Sequence, residues 1–163
     1  MFQTTTRMAL PALLLAALWW GSLSAIGFMA VPLLFAHAPS HALAGMLAAR
    51  LFAAQGWVSV LSSVGLLMLF RGGLQHMADA RRYTDEGELL PAMPGQQRPD
   101  MLWFGAILTG LLLALVLQLG IAPRIEARES LALWHSLGVA LYGGQWVCAL
   151  LVFIKMAAHT KKD

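Results

Sequence analysis

Four stretches of this chain contain no Asp, Glu, Lys or Arg: residues 8–49, 51–70, 101–123 and 130–154, which are 42, 20, 23 and 25 residues long. A bilayer's hydrocarbon core is about 30 Å thick, and a helix rising ~1.5 Å per residue crosses it with roughly 20 apolar residues. Each stretch is therefore long enough to cross. The first is divided by His37, Pro39, Ser40 and His41, which break its apolar character near residue 36. The backbone in lipid must bond within its own segment, and the runs lack the polar–apolar alternation of barrel strands, so helices are the expected form. The fold class predicted is all-α: an integral membrane antiparallel four-helix bundle. It forms one domain over 1–163, with helices at about 8–36, 40–71, 100–122 and 130–156 and a loop at 72–99.

Composition supports the same reading. At 59% hydrophobic and a mean hydropathy of +0.69, with a single cysteine, the chain is neither disordered nor a disulfide scaffold nor an ordinary water-soluble domain. Helix ends are marked by Ser40 after Pro39, by Gly72-Gly73, by Pro99-Asp100, by Pro123, and by Ser130 as a cap for the fourth helix. Residues 36–50 either extend the second helix or lie along the membrane surface. The apolar run after Arg7 continues well past the length of a signal-peptide core, so a retained first helix is expected.

Four crossings put both termini and the loop on one side. That side carries Arg7, Arg71, Arg81, Arg82, Arg98, Lys155, Lys161 and Lys162; the other carries Arg50, Arg124 and Arg128. The positive-inside rule then places both termini in the cytoplasm, and the basic isoelectric point follows from topology, with no case for nucleic acid. Gly87, Pro91, Pro94, Gly95 and Pro99 make 86–99 a linker. Small residues at Gly21/Ala25, Ala49/Ala53 and Ser136/Ala140/Gly144 are spaced for close helix packing, expected within one bundle rather than in a dimer. Trp103 and Trp134 fall where interfacial belts form.

Polar groups on the non-cytoplasmic side gather at one end: His37, His41, Arg50, Arg124, Glu126, Arg128, Glu129 and His135, with Gln55 and Gln118 placed nearby. They form either a site or an ion-pair network. Arg124, Glu126, Arg128 and Glu129 read most simply as a solvated, self-neutralising turn. His37 and His41 have the spacing of two metal ligands on one helix face, but Pro39 lies between them. His135 is an ionisable group inside a span and is expected to face a cavity or a partner helix. Arg50 is expected to snorkel outward or to pair with Glu126 or Glu129. Cys148 is alone and mid-span. No phosphate loop, zinc-helix motif or nucleophile–base motif stands out.

Trp20-Gly21, Gly27, Pro32-Leu33-Leu34-Phe35, Ala44-Gly45 and Phe52, followed by Pro123-Arg124-Ile125 and His135, resemble the transmembrane protein 205-like family, whose bacterial members fall under domain of unknown function 4149. The resemblance covers nearly the whole chain except the loop. It implies four helices and residence in a bacterial inner membrane, without a defined catalytic step, and no catalytic residue is carried over from it. The reading that follows is a multi-pass, non-enzymatic accessory or interaction protein without a cofactor, partnered by the lipid bilayer and by a second copy or another membrane protein. One alternative has His135 with His37 or His41 holding haem or copper. The other is a small transporter lined by Arg50, Glu126, Glu129 and His135.

Overall fold

The computed structural model describes residues 3–70, 101–126 and 130–160. Helix α1 (Gln3–Ala25) passes through a π-helical turn (Ile26–Ala30) into α2 (Val31–His37), and α3 (His41–Leu69) returns. After the loop, α4 (Met101–Leu115) passes through a second π-helical turn (Val116–Ile121) into α5 (Ala122–Glu126), and α6 (Leu131–Thr160) completes the chain. Among the described residues four spans are long and apolar enough to cross a membrane: Leu10–His37, His41–Leu69, Leu102–Ile125 and Ala132–Ala158. The linker at 86–99 lies outside the described residues, as do Arg128 and Glu129.

The second helix begins at His41 and runs unbroken to Leu69, so residues 41–50 extend it. Ser40 has extended backbone (φ −150°, ψ 150°), and its Oγ accepts the Leu43 N–H at 3.2 Å, the N-cap geometry expected of it. Ser130 behaves differently. It sits in the left-handed region at φ 36°, and its carbonyl oxygen receives the N–H groups of Leu133 and Trp134.

The third helix was expected to stop at Pro123, but it continues through that residue to Glu126. A proline inside a helix removes one N–H and crowds the carbonyl four residues back. Here the preceding turn is widened: the Ala122 N–H reaches back five residues to the Leu117 carbonyl. The first span uses the same device, the Val31 N–H meeting the Ile26 carbonyl just before Pro32. Each π turn ends two residues before its proline, and the helix continues through the proline unbroken.

The spans form a square. Chain neighbours pack side by side and α6 closes against α1. The core lies in the half nearer the chain ends and the loop, where Ala12, Ala16, Trp19 and Leu23 meet Leu66, Ile107, Ala149, Val152 and Met156. Lipid is as apolar as these side chains, so close fit rather than water exclusion holds them together. Trp20 stacks on Phe153 at 5.2 Å, and Phe70 meets Trp103 edge-on at 4.7 Å. A Cβ on Gly110 would run into the Trp19 ring and the Cys148 Cβ, which is why that position holds no side chain.

The small-residue series play a lesser part than expected. A Cβ on Gly21 would touch nothing, and Ala25, Ser136 and Ala140 are exposed. Of the series, Gly144 does meet a neighbour, Leu113 Cδ1 at 3.3 Å from where its Cβ would stand, and the tightest approaches occur at Gly27, Gly56 and Gly110.

Toward the end bearing the short connections, the two hairpins separate. There α2 packs mainly on α3, and α5 on α6; the principal contact between the hairpins is the second π turn against α3.

Candidate functional site

The residues expected to form an end cluster are divided between the hairpins. His37 closes α2, with its Nδ1–H donating to the Leu33 carbonyl at 3.1 Å. His41 opens α3 and sets its ring edge-on to Phe35 at 6.2 Å. Arg50 is exposed on the same helix. On the other hairpin, the Arg124 guanidinium lies 4.5 Å above the Trp134 ring, a cation–π contact that gives this tryptophan a role beyond anchoring. The backbone of Glu126 ends α5, and His135 is exposed on α6. Among the described residues no three His, Cys, Asp or Glu stand close enough to hold a metal ion.

What the fold does bring together is a polar layer halfway through the bundle. Gln55 is the middle residue of the span His41–Leu69, and Gln145 the middle residue of Ala132–Ala158. Both are 2% exposed. The Gln55 amide donates to Ser22 Oγ at 3.0 Å and to Ser59 Oγ at 3.3 Å. Ser59, Ser62 and Ser63 continue this buried polar face of α3 for two further turns. Gln55 therefore sits at mid-span rather than beside the connection-end residues near which the sequence placed it. Gln118, in the second π turn, donates to the Ala53 carbonyl at 3.3 Å, over the bare backbone of Gly56.

The first π turn makes the matching contact. Tyr142 Oη donates to the Leu23 carbonyl at 2.8 Å, and the Gly27 backbone N–H faces the Tyr142 hydroxyl oxygen. Leu23 and Gly27 are four apart, the spacing of an ordinary helical hydrogen bond. The Tyr142 hydroxyl therefore stands in the ladder at the place where the helix widens. Next to it, Trp146 Nε1 donates to Ser24 Oγ at 2.8 Å. Among the described residues five buried side-chain atoms, Gln55 Oε1, Gln145 Nε2, Ser63 Oγ, Trp19 Nε1 and Trp20 Nε1, have no hydrogen-bond partner.

The layer consists of hydroxyls, amides, a phenol and indoles. It can donate and accept hydrogen bonds in a medium where an unmade bond is costly, and it holds the hairpins in register. The sequence carried a signal for it: Gln55, Ser59 and Ser62 recur at i, i+4 and i+7, one polar face on an otherwise apolar span. Searching for charge-free length alone passes over such a face.

A square of four apolar spans with a polar middle layer is the fold of a helical membrane protein. Residues 14–133 match the family described as Domain of unknown function (DUF4149), and the chain belongs to it. The match supports that family rather than the transmembrane protein 205 label, and it takes in the first three spans and only the start of the fourth. No curated protein and no solved structure matches the chain.

Proposed function

We propose that this is a multi-pass protein of a bacterial inner membrane, with both termini cytoplasmic, acting as a non-enzymatic accessory or interaction protein. The orientation rests on the excess of Lys and Arg on the side of the termini and loop. The observation that supports the role is the parting of the hairpins at the connection end. There α2 and the first turns of α6 each pack mainly on a single neighbour, leaving room for a helix of a second copy or of another membrane protein. Extraction in mild detergent with mass determination is the test. An assembly larger than one 17.6 kDa chain is expected, with cysteines placed at Leu33 or Leu137 cross-linking to the added subunit in native membranes. A monomer that forms no such cross-link overturns the reading.

A permeation role draws support from the unpartnered Gln55 and Gln145 amide atoms, which could meet a small polar solute halfway through the bundle. Flux of such solutes into proteoliposomes, unchanged when Arg50, His135 and Gln55 are replaced together, removes this reading. The haem or copper reading needs His135 to work with His37 or His41 from the opposite hairpin. A purified protein with neither a Soret band nor bound copper ends it.

A further inference from the structure

The charge at Arg50 has no counter-charge within reach in its own hairpin. The first 70 residues contain no Asp or Glu, so neither span of that hairpin can offer Arg50 a carboxylate. The residue lies nine positions into α3, about 13 Å along the axis from its first residue at ~1.5 Å per residue. It stands roughly 140° round the helix from Gln55, at 100° per residue, and so points away from the bundle axis. That direction lies on the side of α3 carrying Leu43 and Leu47.

This side of α3 borders a groove. Leu33, Leu34 and His37 of α2 and Leu43, Leu47 and Leu51 of α3 wall an open trough of about 430 Å³. Its lining is apolar except at His37, whose ring is held at the connection end by its bond to the Leu33 carbonyl. The trough is open and apolar along its length, with the His37 imidazole at one end. Arg50 does not line it but stands on the adjoining exposed side of α3, roughly 60° round the helix from Leu47 at 100° per residue. A long arginine side chain extends toward the headgroup layer while its methylenes lie on apolar surface.

We propose that this groove is a binding site for one anionic phospholipid, its acyl chain lying between α2 and α3 and its phosphate paired with Arg50. Charge complementarity selects the occupant. An uncharged amphiphile would fill the trough but leave the guanidinium unpaired at the edge of the hydrocarbon, whereas a lipid of net negative charge satisfies both features.

The purified chain in mixed micelles of phosphatidylglycerol and phosphatidylcholine at equal amounts, read by native mass spectrometry, tests this. The expected result is one retained phosphatidylglycerol, favoured several-fold over phosphatidylcholine. Arg50→Gln is expected to bring the two lipids to parity, and Leu47→Trp, which fills the trough, to remove the retained lipid. Arg124→Gln, a cation on the other hairpin, is expected to leave the preference as it was, and added inorganic phosphate is expected not to displace the lipid. Parity in the unaltered chain, a preference that survives Arg50→Gln, loss of preference with Arg124→Gln, or displacement by inorganic phosphate would each overturn the proposal.

Discussion

Gln55 and Gln145 occupy the midpoints of diagonally opposite spans, both buried and each with one amide atom lacking a partner. Gln55 spends its donor on Ser22 and Ser59, so its remaining atom is an acceptor; the unpartnered atom of Gln145 is a donor. The bundle therefore keeps hydrogen-bonding capacity on both sides of its axis at the depth where it is most expensive to leave unused.

Gln145→Leu is expected to stabilise the fold. Leucine fills a similar volume and removes an amide whose Nε2 is unsatisfied, a change of about 1 kcal/mol. Reversible unfolding in micelles measures it. A loss of stability would show that this amide is engaged in the membrane and would sink the prediction.

Tyr142→Phe deletes the hydroxyl that stands between Leu23 and Gly27 while keeping the ring against Phe52. A hydrogen bond between spans is worth about 0.6 kcal/mol on average and up to ~1.7. The expected loss lies toward the upper value, because two backbone groups, the Leu23 carbonyl of α1 and the Gly27 N–H of the π turn, face the hydroxyl. Hydrogen exchange at Gly27 should rise with it, and an unchanged amide there would contradict the assignment.

Gly110→Leu should cost about 1–3 kcal/mol, because the Trp19 ring and Cys148 already fill the space its side chain would need. Gly21→Ala is the matched control, since a Cβ there meets nothing, and no destabilisation is expected from it. Equal effects from the two would mean that the glycines act through helix propensity rather than packing.

Ser40→Ala removes the side-chain acceptor of the Leu43 N–H and should cost about 1 kcal/mol, whereas Ser40→Asp should retain most of it. Amide exchange over the first turn of α3 reads the fraying directly. If the alanine variant exchanges no faster there, the cap contributes nothing.

The number of spans, their approximate limits and the cap at Ser40 were legible in the chain because they depend on local quantities: apolar length against bilayer thickness, and one hydroxyl beside one exposed N–H. Pro123 misled for a related reason. A proline is a stop signal only when the preceding turn is a regular α-helix, and sequence did not reveal the π turn that carries the third span past it. The candidate site rested on a different quantity, depth in the membrane, and Arg128 and Glu129 lie outside the described residues. His37, His41 and Arg50 were grouped with Arg124 and His135 because all lie near the same ends of their spans, but equal depth is not contact, and the hairpins part at that end.

The amino-acid sequence by itself determined that this protein is a membrane protein of four helices, since charge-free length fixes where a helix can sit in lipid. Only the tertiary structure decided which polar groups meet. Ser22 with Gln55, Leu23 with Tyr142, and Ala53 with Gln118 are 33, 119 and 65 residues apart along the chain. Their pairing depends on the rotation and bend of each span, which are set by helix packing and by two widened turns that no single segment specifies alone.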